Sequence, residues 1–442
     1  MLGWIVLALV LLAAVIAGAC FVLAFLRPPR SPDAIEGSGF VRAHGCAIYD
    51  EKGKKLLLRG VNLGNWLLQE FWMNTSAVYG KPYTKRRAYF ELRNNANVTE
   101  EQAEELENLY EDNFITEADF ERIAGLGLNC VRVVLSYMNF LTADGKSYRF
   151  GDREKAFARL DGILGLCEKY GLYAILDMHG APGSQNMDHH SGDDEHFDLF
   201  GNAENERILL SLWRDIARRY RGRTVVAGYD LLNEPRRAPH KYGGRRTFDF
   251  YDRLYRAVRE EDPDHMIFVE CFTFPVHGAR AARYGWENVC VEYHIYNLTP
   301  FPQRACLRFY KALHNFMGYK MPVYIGEFNA WGREKTWEST LDFFESQGWS
   351  FTSWTYKTNA RLYKNGIIFK HPKLCAGWGV LELDLPSVDL STATYEEIRE
   401  NYEQIGSENA EPGVPYAVYE RRYAASRRPA RKRGGRRTAR RA

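Results

Sequence analysis

The sequence predicts an α/β protein, a closed (β/α)8 TIM barrel, preceded by one N-terminal transmembrane helix and followed by a basic disordered tail. Three observations carry this expectation. Eight short β-rich runs recur through the body, most of them nearly continuous in apolar residues, as parallel strands covered on both faces are. Amphipathic stretches of helical period lie between them, and that alternation argues for a parallel sheet with its helices outside. Finally, the 25 residues from Leu2 to Leu26 carry no charge, and at about 1.5 Å per residue they span a hydrocarbon core of ~30 Å.

The expected segments are a transmembrane anchor (1–27), a linker (28–37), the barrel domain (38–406) and a basic flexible tail (407–442). No Lys or Arg precedes the apolar run, which speaks against a cleaved signal peptide. Ala17-Gly18-Ala19 before Cys20 resembles a small-residue cleavage site, so cleavage or lipidation is the alternative. Arg27 and Arg30 follow the run, and the positive-inside rule would put the body in the cytoplasm. Action on an extracellular polymer requires the opposite, and the side of the membrane stays open.

The eight strand candidates are LLLRGVN (56–62), LNCVRVVL (128–135), LYAILDMH (172–179), VVAGYDLLNE (225–234), HMIFVECF (265–272), VCVEYHIY (289–296), MPVYIGEF (321–328) and WSFTSWTY (349–356). Helices are expected over 101–126, 153–170, 204–220, 248–261, 303–316 and 336–347. Gly125-Leu126-Gly127 stops the first of them immediately before the second strand. A doubly wound open sheet is the runner-up. It calls for a glycine-rich fingerprint after its first strand, and GVNLGNW matches one poorly.

Composition supports a large folded body. Of 442 residues, 45% are hydrophobic and 14% aromatic, enough for an extensive core, and this excludes disorder for most of the chain. The net charge of +3 hides a segregation. Setting aside the eleven cations of 421–442 and Arg27 and Arg30 leaves residues 31–420 at −10. The body therefore has no nucleic-acid footprint, whereas the tail suits anionic lipid next to the anchor, or serves only as a solubilising extension. Eight cysteines occur with no CxxC spacing, several inside apolar strands. They read as small buried hydrophobes, and mildly favour a reducing compartment.

Chemistry-bearing residues collect at the C-terminal ends of the expected strands, where a barrel of this kind builds its active site. They are Arg132, His179, Asn233-Glu234, His294 with Tyr296, Glu327 and Trp354. A glutamate at the end of an apolar strand is costly to bury unless it is used or paired. Glu234 and Glu327 would face each other across the barrel mouth, and two such carboxyls are what glycosidic cleavage needs. Arg132 would keep one ionised, while the apolar wall and the like charge would raise the pKa of the other.

These motifs resemble glycoside hydrolase family 5, the cellulase-like clan of retaining β-glycosidases, over roughly residues 38–405. LLNEP (231–235) and IGEF (325–328) carry the resemblance together, and LRGVNLGNWL with DMHGAPGSQN (177–186) is most similar to the exo-β-1,3-glucanase branch. The chain departs from that branch at Met187-Asp188-His189-His190, which leaves the linkage open. The resemblance implies Glu327 as nucleophile and Glu234 as acid and base, with Asn233 on the 2-hydroxyl of the sugar. It further implies that Arg132 and Tyr296 orient Glu327, that His179 and His294 bind hydroxyls or position the acid, and that Trp354 forms the floor. Glu70 would be another sugar ligand, since a similar acid stands there in the exo-glucanase branch. No cofactor is implied. His189, His190 and His196 lie in an acidic loop, but without HExxH-like spacing they read as a polar loop lining the cleft, and no metal is expected. Trp66, Trp72, Trp331 and Trp378 fall in loops at the same face and suit the flat faces of sugar rings.

The expected function is a membrane-tethered retaining β-glycosidase acting on β-linked glucans. Its alternative is a glycosidase or transglycosylase acting on a membrane glycolipid or lipid-linked glycan, for which an apolar rim beside the cleft would speak. A non-catalytic glycan-binding barrel is a third reading, opposed by the presence of both glutamates.

Overall fold

The computed structural model describes residues 30–77, 83–236, 245–271, 275–299, 301–364 and 371–424, with residues 15, 16, 18, 19, 22 and 23 of the apolar run. Its centre is a closed barrel of eight parallel strands. They are β1 (Arg59–Asn62), β2 (Cys130–Ser136), β3 (Tyr173–Gly180), β4 (Val226–Asp230), β5 (Met266–Glu270), β6 (Val289–Tyr296), β7 (Val323–Asn329) and β8 (Ser350–Ser353). Each falls inside or within a residue of its expected run, and β8 closes on β1 through the Phe351–Arg59 register. A closed barrel has no edge strand to protect.

The helices outside the barrel bury one stripe each. In Ala203–Tyr220, that stripe is Ile208, Leu209, Leu212, Trp213, Ile216, Ala217 and Tyr220, at helical spacing, against an otherwise charged surface. Burial of each large apolar side chain there contributes roughly 1.5–3 kcal/mol. The helix expected over 101–126 is two helices, Glu100–Phe114 and Glu117–Gly125. The break has a local cause: Thr116 starts the second helix with a reciprocal capping box to Asp119.

Both ends of the domain differ from the sequence expectation. The expected linker is tied down from Pro32 onward, with Ile35 N–H donating to Gly53 O at 2.8 Å and Tyr49 OH to Pro32 O at 2.6 Å. A three-stranded ribbon (42–44, 47–49, 55–56) follows it. Val41, Ile48 and Leu58 pack there with Cys130, Ile175, Phe268 and Tyr324, at the N-terminal end of the barrel strands, away from the site. The expected flexible tail begins too early. Residues 407–409 form a helical turn and Val414–Tyr423 a helix whose Val418 and Tyr419 are fully buried. Arg422 of that helix pairs with Asp342 at 2.7 Å and Glu345 at 2.6 Å. Two of the eleven tail cations thus belong to the domain, and the apolar 414/418/419/423 stripe explains why. Residues 425–442 lie outside the described residues.

The anchor expectation likewise falls mostly outside the described residues, and among those described no helix is long and apolar enough to cross a membrane. The seven described cysteines are free thiols.

Candidate active site

Glu327 sits in β7, with its side chain buried at the mouth of the barrel. Arg132 from β2 donates to its Oε1 at 3.1 Å, and the Tyr296 hydroxyl from the end of β6 donates to its Oε2 at 2.7 Å. Gly326 makes room beside it: a Cβ there would overlap the Glu292 carboxylate, which explains the glycine of the IGEF motif.

Glu234 lies just past the end of β4, in the left-handed region at φ 39°. A non-glycine residue there costs on the order of 1–3 kcal/mol and persists only when the surroundings over-determine it. They do so here. Trp213 Nε1 donates to Leu231 O at 3.0 Å, Tyr251 OH to Leu232 O at 2.7 Å, Gln185 Nε2 to Asn233 O at 2.9 Å and Asn186 Nδ2 to Glu234 O at 3.0 Å. Every carbonyl from 231 to 234 is held by a side chain, and the Glu234 N–H donates to the Glu270 carboxylate. Gln185 and Asn186 come from the SQN motif after β3, so that motif and LLNEP lock each other in place.

His294 connects the two glutamates. Its Nδ1 lies 2.7 Å from Glu234 Oε1 and 3.5 Å from Glu327 Oε2. Laid end to end, these contacts are shorter than the ~6.5 Å at which inverting carboxyl pairs begin.

The other expected residues gather around them. Asn233 accepts from Arg132 at 2.9 Å, and its Nδ2 lies 3.2 Å from His179 Nε2. His179 Nδ1 meets Asp177 at 2.7 Å, and its ring stacks on Trp354 with centroids 5.3 Å apart. Burial pushes the His179 pKa down to about 3, so the ring is neutral and Nε2 accepts from Asn233. Glu70 is buried, accepts from Trp72 Nε1 at 2.8 Å and pairs with His189 at 2.9 Å. Trp72, Trp331 and Trp378 form an aromatic wall beside Tyr296, with Trp378 5.8 Å from its ring. Trp66 does not join it. Its indole donates to Glu111 O at 2.6 Å, within the main core.

The electrostatics differ from the sequence expectation. Burial alone would raise the Glu234 pKa, but His190 at 3.1 Å and His294 at 2.7 Å outweigh it and hold the carboxyl well below its usual range. The reciprocal effect lifts His190, despite its burial, to about 9. Burial instead raises the carboxyls beneath the site: Asp177, Glu270, and Asp230, which reaches about 7. Those three and Glu292 are buried members of the constellation that sequence reasoning missed, and Arg132 touches three of them, at 2.6 Å (Asp230), 3.1 Å (Asp177) and 3.5 Å (Glu292). A lone acid inside an otherwise apolar strand was the available signal. His190, in the segment that departs from the exo-glucanase pattern, was expected only as part of a polar loop lining the cleft; its contact with Glu234 was not foreseen.

Because the proton of the Glu234–His190 pair belongs to the pair, the alkaline limb of kcat/KM should follow His190. His190→Asn is expected to move that limb to lower pH, since a cation that keeps the pair protonated up to about 9 is gone. A pH–rate profile of both forms checks this, and an unmoved limb would separate His190 from the acid.

Among the described residues, two groups place three potential metal ligands within 4.8 Å of one another: Asp193 with Glu195 and His196, and Glu234 with Glu270 and His294. Arg86 and Arg87 already supply positive charge to the first, at 3.6 Å from Asp193 and 2.6 Å from Glu195. In the second, His294 is itself raised by the surrounding carboxylates and fills that role.

Known proteins resemble this chain in sequence and in fold. Residues 92–360 match the cellulase family (glycosyl hydrolase family 5). A β-xylosidase of Phanerodontia chrysosporium is 33% identical over 267 residues, 60% of this chain and 53% of its own length. A probable glucan 1,3-β-glucosidase A of Neosartorya fischeri is 31% identical over 226 residues, 51% of each chain. The chain thus spans about half the length of these curated relatives. Among solved structures, an endogalactoceramidase superposes with a TM-score of 0.57 at 18% identity, covering 83% of this chain and 84% of its own. Rutinosidase from Aspergillus niger superposes at 0.53 and 16%, covering 78% and 98%. These two likenesses concern the fold. The family match extends over more than half of the sequence and includes both β4 and β7 with their glutamates, and the chain belongs to glycosyl hydrolase family 5.

Proposed function

We propose that the protein is a membrane-tethered retaining β-glycosidase acting on β-linked glucans, with exo-β-1,3-glucanase-like specificity. The observation that carries this reading is His294 Nδ1 within 3.5 Å of both Glu234 and Glu327. Glu327, held between Arg132 and Tyr296, attacks the anomeric carbon through a carboxylate oxygen. The bond to the leaving oxygen breaks, and Glu234 delivers a proton to that oxygen. That proton is held in the resting site by the Glu234–His190–His294 group. Water then attacks the glycosyl–Glu327 ester, giving up its proton to Glu234. Asn233, fixed by Arg132 and His179, presents its amide to the 2-hydroxyl, and Trp354 floors the sugar. The 25-residue apolar run supplies the tether, and the cationic residues of 425–442 hold anionic lipid beside it.

The full chain in detergent, tested on β-1,3-, β-1,4- and β-1,6-linked glucans and on aryl β-glucoside and β-xyloside, should release sugar whose first-formed anomer is β by proton NMR. An α-anomer appearing first would overturn the retaining mechanism. A second reading, in which the substrate is a glycosylated lipid, is favoured by one observation: Leu298 and Phe301, immediately beyond the catalytic-face Tyr296, are 43% and 67% exposed.

A further inference from the structure

Helix Gln303–Met317, which follows β6, has an unusual outer face. Its inner face is ordinary: Leu307 and Tyr310 pack onto the barrel. Its outer face carries Phe309 and Phe316, 43% and 65% exposed, seven residues apart and so on one side of the helix. Phe301 extends the row to the barrel mouth. Together they form an aromatic stripe along a helix of about 22 Å.

The same segment has no counter-charge of its own. From Tyr293 to Gly326 there is not one acidic residue, while Arg304, Arg308, Lys311 and Lys320 are cationic. The body as a whole is acidic, so this basic, aromatic face stands apart from it. Exposed aromatics alternating with cations are the composition of an element that lies on an anionic membrane surface.

A contact fixes where the membrane would be. Asn315, near the end of the helix, donates to the backbone carbonyl of Leu23 at 2.7 Å. Leu23 lies three residues before the end of the apolar run. The bottom of the aromatic stripe therefore meets the chain near the end of the apolar run.

At its other end the stripe reaches the catalytic face. A recess of about 480 Å³ opens beside Phe301 and is lined by Trp331 and Gln303. The Gln303 amide is buried there without a hydrogen-bond partner. Trp331 borders Tyr296, ring centroids 6.3 Å apart, and Tyr296 holds Glu327.

We propose that the face formed by Phe301, Arg304, Arg308, Phe309 and Phe316 docks side-on against an anionic lipid bilayer and brings the barrel mouth to glycosylated lipids in that bilayer. This rests on the glycosidase reading for the substrate but not for the docking. The barrel axis then runs along the membrane, with the β6 edge of the mouth at the headgroups. The recess beside Phe301 receives the part of the lipid next to the scissile bond.

The test uses the full chain in nanodiscs of phosphatidylcholine and phosphatidylserine at about 7:3. Tryptophan introduced as Phe309→Trp should be quenched by lipids brominated along their chains, after subtraction of the native signal, whereas Arg207→Trp on the opposite side should not. Equal quenching of the two, or none at either, would overturn the docking. In the second arm, Phe309→Ser/Phe316→Ser should lower release of glucose from glucosylated lipid in the disc at least tenfold, with soluble aryl glycosides hydrolysed as before. Equal rates on the disc substrate would overturn the presentation of lipid. Quenching at Phe309→Trp without turnover of any glycoside would support the docking and remove the glycosidase reading, so the two fail separately.

Discussion

Replacing Glu327 by alanine is expected to cost at least about 10⁴-fold in kcat/KM, because loss of a covalent nucleophile removes the step on which the rest of the site depends. The fold should tolerate it. Glu327 is one of several acids around Arg132, and Asp230 at 2.6 Å and Asp177 at 3.1 Å remain to pair with the guanidinium. The loss should be reparable in a diagnostic way. Azide entering the vacated space attacks the anomeric carbon from the face Glu327 used, breaks the bond to an activated leaving group in one displacement, and yields an α-glycosyl azide from a β-glycoside. In Glu234→Ala the nucleophile survives, so azide instead intercepts the glycosyl-enzyme and yields the β-azide. The two products, told apart by NMR coupling constants, assign the roles of the two carboxyls independently of rate. Undiminished hydrolysis by Glu327→Ala would refute the mechanism outright.

The barrel was legible because parallel strands covered on both faces must be largely apolar, and most runs carried that signature, several with polar residues near the C-terminal end. What such a pattern does not reveal is the partner of a buried acid. Asp177 stands inside the DMHGAPGSQN motif, and Asp230, Glu270 and Glu292 inside strands, yet each looks on its own like an incidental polar residue. Only closure of the barrel brings them under one arginine. The ionisation of Glu234 was misjudged for the same reason: the two imidazoles that set it come from the β3 loop and from β6, 44 and 60 residues away in sequence. The helix at 414–423 was hidden differently. Arg421 and Arg422 read as the start of a cationic run, while the apolar spacing beneath them, which decides the structure, was short.

Arg132 carries the largest stability effect. It is fully buried and is the guanidinium against which Asp177, Asp230, Glu292 and Glu327 are arranged, with Asn62 and Asn233 taking further donors. Arg132→Met preserves much of the volume but leaves these carboxyls without their cation. Breaking a buried pair in this way costs about 3–5 kcal/mol. The pH dependence follows from the direction of the shifts. Burial already raises Asp177, and raises Asp230 to about 7, above the ordinary 3.8, so the folded state binds protons there that the unfolded chain releases. Such a group destabilises the fold progressively as pH rises from near 4 through its folded pKa, and removing Arg132 raises the folded pKa values further. The deficit of Arg132→Met relative to the parent should therefore be small near pH 4 and largest near pH 8, measured as thermal midpoints across that range. Asp230→Asn added to Arg132→Met should recover part of the loss at pH 8 and little at pH 4, because it removes the uncompensated charge itself. A deficit independent of pH, unaffected by the second substitution, would mean that packing volume and not charge is what Arg132 contributes.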